Sequence, residues 1–268
     1  MLSIFFMYLV LGALAGLLSG LLGIGGGIIV VPGLLYIFSQ RNDVPVEIMM
    51  HLVAGTSLTI VILTCASSAA AFWRKNLISW PLFYRFMPGL FAGVISGSTI
   101  AQHLSSNHLR WLFALFLVLV AVQIILFARS ESKPRTLSGF NYWVLIPSSI
   151  VTGILSALFG VGGGLIMVPV FLYMGCEMLV ASGTSALSGL PTAIVGSISL
   201  SITGMLSTHS VKLPFGTTGY VFWPAVIMVG LSSMLFAPLG TRLAVSCKAS
   251  TLRSVFGLLL LITAWKMF

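Results

Sequence analysis

Gly20-Leu21-Leu22-Gly23-Ile24-Gly25-Gly26-Gly27-Ile28-Ile29-Val30-Val31-Pro32 sets three consecutive glycines inside an apolar run that extends from about Ile4 to Phe38. A helix facing hydrocarbon needs no such break. Each glycine costs a helix roughly 1 kcal/mol against alanine, so three together unwind or turn it. The stretch returns as Ala157-Leu158-Phe159-Gly160-Val161-Gly162-Gly163-Gly164-Leu165-Ile166-Met167-Val168-Pro169, with Gly25, Gly26, Gly27 and Pro32 each meeting the same residue type 137 positions later. The chain therefore reads as two related halves, each carrying one glycine break.

Composition gives the class. The 268 residues are 58% apolar and 6% charged, with a mean hydropathy of +1.13, which leaves too little polar surface to cover a soluble globule. At roughly 20 residues a span, about eight helical segments fit, with short loops and no separate soluble domain. The expected fold is an all-α polytopic membrane protein with two internal repeats, each a glycine-broken helix plus three further helices. The first repeat covers 1–128 and the second 141–268. Between them, over 129–140, lies a polar linker that holds the one strongly polar run, Arg129-Ser130-Glu131-Ser132-Lys133-Pro134-Arg135.

Three further echoes keep the same order. Ala54-Gly55-Thr56-Ser57 answers Ser182-Gly183-Thr184-Ser185, Met87-Pro88 answers Trp223-Pro224, and Leu109-Arg110-Trp111-Leu112-Phe113 answers Leu252-Arg253-Ser254-Val255-Phe256. Apolar patterning places helices near 48–72, 82–101 and 109–128, then after the second broken segment (142–174) from about Leu179, kinked or interrupted by Pro191, and near 220–243 and 252–268.

Topology turns on whether each broken segment crosses once or doubles back. Single crossings divide the Lys and Arg residues 8 to 5 between the two sides; doubling back divides them 9 to 4, the better fit to the positive-inside rule. The arm from Ile28 to Phe38 is also short for a full span. Doubling back makes the halves inverted repeats, with both termini outside and the linker around Lys133 in the cytoplasm, an arrangement common in secondary transporters.

Freed backbone groups in lipid are tolerated only where protein or a watery cavity satisfies them. Helices restarting near Ile28 and Leu165 would present unpaired N–H groups and the positive end of the dipole, the elements of an anion site. Gly25, Gly26, Gly27, Gly162, Gly163 and Gly164 are therefore candidate substrate-binding residues. The other reading of these glycines is close helix packing. Hydroxyls supply the remaining candidates, because a neutral hydroxyl can donate to an oxyanion without a large charge penalty. Thr56, Ser57, Thr184 and Ser185 recur in both halves. Ser185, Ser188, Thr192, Gly196, Ser199 and Thr203 share one helix face; here the other reading is hydrogen bonding between helices. His51 reads as an interfacial histidine, and Arg74, Lys75, Arg85 and Arg242 as side chains snorkelling at the cytoplasmic surface.

Several classes drop out. The net charge of +9 is spread singly or in pairs at the ends of apolar runs, so it marks membrane orientation and not nucleic acid. Cys65, Cys176 and Cys247 lie far apart with no CxxC, which indicates neither a disulfide framework nor a metal site, and no cofactor is expected. Catalytic motifs such as HExxH or GxSxG are absent, as is any Walker sequence, so neither an enzyme nor an ATP-driven pump is expected. Ala13-Leu14-Ala15 resembles a signal-peptidase site, but no Lys or Arg precedes it, and Gly16-Leu17-Leu18-Ser19 recurs as Gly153-Ile154-Leu155-Ser156. The mature protein is expected to begin at Met1.

With Gly-Thr-Ser following each glycine motif, the sequence resembles the sulfite exporter TauE/SafE family, within the toluene sulfonate uptake permease group. The resemblance covers the whole chain. It implies a bacterial inner-membrane, multi-pass transporter of about eight helices for small anions such as sulfite, sulfoacetate or related sulfonates. The expected function is secondary transport of a small anion, coupled to a proton or sodium gradient, with the lipid bilayer as the other partner. A channel or an accessory membrane protein without alternating access is the alternative. The particular anion, its direction and the coupling ion stay open.

Overall fold

The computed structural model describes residues 2–41, 43–127, 142–207 and 213–246. Among them are nine helices: α1 (Leu2–Leu22), α2 (Gly27–Ser39), α3 (Val46–Trp73), α4 (Trp80–His103), α5 (Ser106–Phe127), α6 (Tyr142–Phe159), α7 (Gly164–Tyr173), α8 (Met178–Ser207) and α9 (Trp223–Ser246). A short antiparallel hairpin of β1 (Thr217–Thr218) and β2 (Val221–Phe222) precedes α9. The linker at 129–140, the loop through His209 and Lys212, and the helix expected over 252–268 lie outside the described residues. The chain is an all-α multi-pass membrane protein: α1, α3, α8 and α9 are each long and apolar enough to cross a bilayer.

Burial identifies the central helix. In α3, 83% of the most apolar window is buried, against 39% to 50% in α1, α8 and α9. Its neighbours are α8, α9 and α2. Around it, α1 packs most extensively on α9 and α4 on α6, and small residues make the approach possible. Gly12, Gly16 and Gly20 of α1 lie against Val229, Ser233 and Ala237 of α9, and Gly89, Gly93 and Gly97 of α4 against Ser149, Ile150 and Ile154 of α6.

Each broken segment doubles back. At 1.5 Å per residue α1 is about 31 Å long, whereas α2 and α7 are about 20 Å and about 15 Å, short of a full crossing. Gly26 at the start of α2 lies against Ala15, Gly33 further along meets Leu11, and Arg41 past its end lies beside Tyr8. Advancing along α2 thus means retreating along α1. In the second half Gly163 faces Thr152 and Ser156, while Phe171 shares a cluster with Leu145, nearer the start of α6.

Two expectations change. The helix expected from Tyr220 begins at Trp223, because residues 217–222 form the hairpin. The helix through Pro191 is not interrupted, running from Met178 to Ser207, as membrane helices allow when neighbouring groups re-satisfy the freed backbone.

Candidate functional site at the meeting of the glycine breaks

The two breaks touch each other at the middle of the bundle. Gly26 and Gly163 are the N-caps of α2 and α7, held at φ 74° and φ 76°, a backbone region that costs an L-residue roughly 1–2 kcal/mol. At the next position space is the constraint. A β-carbon on Gly27 would come 2.6 Å from Cα of Val161 and 2.7 Å from the Gly160 oxygen; one on Gly164 would come 2.6 Å from Cα of Ile24 and 2.8 Å from the Gly23 oxygen. Each helix start is therefore pressed against the turn that leads into the other. Around Gly25 and Gly162 the neighbours are Val61 and Cys65 of α3.

The backbone there is only partly paired. Ile29 and Val30 donate to the Gly26 carbonyl, and Ile166 and Met167 to that of Gly163. The N–H groups of Gly27, Ile28, Gly164 and Leu165 meet no acceptor among the described residues, and neither cap has a side-chain partner. Two dipole ends, with four N–H groups that meet no acceptor among the described residues, thus lie where the breaks touch. Residues 22–31 and 157–165 are all buried, so this arrangement is closed to both surfaces.

Two of the four recurring hydroxyls, Ser57 and Ser185, bond the backbone of this junction. Ser57 donates to the Gly160 carbonyl at 2.7 Å, and Ser185 to that of Gly23 at 3.0 Å, with a longer 3.3 Å contact to Gly164. In this arrangement their single protons go to backbone carbonyls. Thr56 accepts the N–H of Phe222 at 3.0 Å and Thr184 that of Ser79 at 2.9 Å. Gly55 and Gly183 lie against the carbonyls of Tyr220 and Leu77. These two bonds fall immediately before Trp80-Pro81, at the head of α4, and before Trp223-Pro224, at the head of α9.

The hydroxyl face of α8 serves packing further out. Ser199 bonds Ser98 at 2.6 Å, Thr203 accepts from Gln102 at 2.8 Å, and Ser197 pairs with Thr59 at 2.7 Å. His51 is buried among helix ends: Nε2 lies 2.9 Å from the Ala101 carbonyl, Nδ1 lies 3.3 Å from Ser106 Oγ, and the ring rests on Tyr220. Sequence reasoning missed the carbonyls of Gly23 and Gly160 as hydroxyl anchors. Three buried hydroxyls, Ser188 of the α8 face together with Ser156 and Ser182, have no partner among the described residues.

Comparison with known proteins agrees with this architecture. The family described as Sulfite exporter TauE/SafE matches residues 8–267. A probable membrane transporter protein of Haemophilus influenzae is 29% identical over 260 residues, 97% of this chain and 96% of its own length. The probable membrane transporter protein YunE of Bacillus subtilis is 28% identical over 75% of this chain and 79% of its own. MJ0441 of Methanocaldococcus jannaschii, also a probable membrane transporter protein, is 24% identical over 88% and 84%. No solved structure matches.

Proposed function

The chain belongs to the sulfite exporter TauE/SafE family and is a membrane transporter, and from that premise we propose that it is a secondary transporter of small oxyanions of the sulfite or sulfonate class. One observation supports the site: the starts of α2 and α7 meet with the N–H groups of Gly27, Ile28, Gly164 and Leu165 unclaimed. Hydrogen-bond donors at a helix N-terminus favour an anion and do nothing comparable for a cation or a neutral solute. Gly25, Gly26, Gly162 and Gly163 serve by keeping side chains out of that region. Thr56, Ser57, Thr184 and Ser185 act one step behind, fixing the carbonyls and loops that shape it.

The two halves act as inverted repeats in the inner membrane of a bacterium, and rocking of one against the other would open the closed junction to either side in turn. Energy comes from an ion gradient, either protons or sodium; chemistry on the solute plays no part, so the protein is not an enzyme. A channel remains the second reading, since the same donors would also line a pore.

Counterflow in proteoliposomes tests this. Vesicles loaded with sulfite or methanesulfonate should take up labelled anion with saturation, and dimethyl sulfone, a neutral analogue of similar size, should not compete. Gly163→Ala should abolish uptake while the protein still purifies as a single species, because the neighbours of its new methyl group are side chains and its φ carries the strain. Non-saturating electrogenic flux would favour the channel. Equal competition by the neutral analogue would remove the dipole-end site.

A further inference from the structure

Where α2 ends, a charged cluster lies that the central site does not use. Arg41 directs Nε to Asp43 Oδ1 at 2.9 Å and Nη2 to Asp43 Oδ2 at 2.6 Å. Its guanidinium carbon lies 4.7 Å from the centre of the Phe222 ring, which packs edge-on against Phe38. Tyr8 of α1 is 3% exposed beside the guanidinium, with which it interacts, and among the described residues its hydroxyl has no partner within strict hydrogen-bonding geometry. A buried phenol left unmet is costly and calls for an explanation.

Asp43 shows how an oxyanion docks here, two oxygens on the planar fork. It is a replaceable occupant: 48% exposed, two residues from Arg41 in the same turn, and part of the kind of surface pair that contributes little. The turn after α7, at Gly175-Cys176-Glu177, holds no basic residue, so the cluster is one-sided. Contacts also lead inward from it. Phe222 donates its N–H to Thr56, and the next residue, Ser57, holds the Gly160 carbonyl at the central junction.

The geometry points to a second anion site at this end of the molecule, in which Arg41 and Tyr8 together receive a small oxyanion in place of the Asp43 carboxylate. The bound anion accepts the guanidinium fork and the phenol proton at once, which satisfies the group that Asp43 leaves unmet. The site rests on the reading of the chain as an anion transporter and stands between this end of the molecule and the central junction, where solute passes on entering or leaving.

Calorimetric titration of the purified full chain with sodium methanesulfonate, at constant sodium chloride, tests it. Arg41→Gln should raise the apparent Kd on the order of tenfold or more, and Tyr8→Phe about threefold. Asp43→Asn should lower it several-fold, because the resident competitor is gone. A purely structural brace gives a different result: both Arg41→Gln and Asp43→Asn lower thermal stability and neither moves Kd, which overturns the site while leaving the transport reading intact. Should Arg41→Gln fail to fold, Tyr8→Phe and Asp43→Asn decide, and unchanged Kd in both overturns it. Wild type that binds neither methanesulfonate nor sulfite removes the transport reading and this site together.

Discussion

The hydroxyl of Ser57 donates to the carbonyl of Gly160 at 2.7 Å, a bond that joins α3 to the turn before α7 across 103 residues of sequence. The Ser185–Gly23 bond does the same for the other break at 3.0 Å. Removing either hydroxyl leaves a buried carbonyl unmet, which costs roughly 1–3 kcal/mol. Ser57→Ala and Ser185→Ala should therefore each lower the melting temperature in detergent, Ser57→Ala by at least as much, because its bond is the shorter. Differential scanning fluorimetry checks this; unchanged melting in both variants would mean that the junction does not depend on these bonds.

The glycines of the junction differ in what an added methyl group would meet, and that difference sorts them. At Gly27 and Gly164 it meets backbone of the opposite break at 2.6–2.8 Å, which cannot give without separating the two breaks. At Gly25 the nearest atoms are side-chain atoms, Cys65 Sγ at 3.1 Å and Val61 Cγ1 at 3.3 Å, and the main penalty is its positive φ, roughly 1–2 kcal/mol. Gly27→Ala and Gly164→Ala should fail to yield monodisperse protein on size-exclusion chromatography, whereas Gly25→Ala should survive with reduced stability. Equal recovery of all three would argue against close contact between the breaks.

How much of this could be read from the sequence depends on how local each feature is. Triple glycines in an apolar run announce a break by themselves, and composition alone gives the membrane class. The partners of Ser57 and Ser185 lie 103 and 162 residues away, and a hydroxyl's sequence neighbours do not say whether it faces a solute or a distant carbonyl. Trp80-Pro81 repeats Trp223-Pro224 in both residues and Met87-Pro88 only in the proline, and the bonds from Ser79 to Thr184 and from Phe222 to Thr56 fall just before the two Trp-Pro pairs. The hairpin has just two paired positions per strand, too few for period-two patterning to appear. Tyr8 and Arg41 meet because α2 folds back along α1, and no motif records that.

The pair Arg41–Asp43 has a defined pH dependence. Arg41 holds the Asp43 carboxyl below its ordinary range, mainly by hydrogen bonding, and Asp43 in turn raises the Arg41 guanidinium. A carboxyl whose pKa is lowered in the folded state stabilises above its ordinary pKa, about 3.9, and that stabilisation is lost as pH falls through the lowered value. In buffer free of oxyanions, wild type should melt slightly higher than Asp43→Asn from pH 8 down to pH 5, and the gap should close on acidification below about pH 4. A gap independent of pH would show that the carboxylate charge contributes nothing.

Orientation in the membrane follows from the fold-back combined with charge. Because α2 returns along α1, Arg41 comes back to the end of the bundle where α1 begins, while Arg74, Lys75 and Arg85 lie beyond the far end of α3 and at the head of α4. The positive-inside rule weighs basic residues close to span ends and in short loops, and the doubled-back path collects 9 of the 13 Lys and Arg residues on the face shared by Arg74 and the linker around Lys133. Both termini should then face the periplasm and the linker the cytoplasm. A fluorescent protein that matures only in the cytoplasm should stay dark when fused after Phe268 and glow when inserted within residues 129–140, while alkaline phosphatase at the same two points should give the opposite pattern. Bright fluorescence at the C-terminus would place that end inside, and inverted repeats with an equal number of crossings would no longer describe the chain.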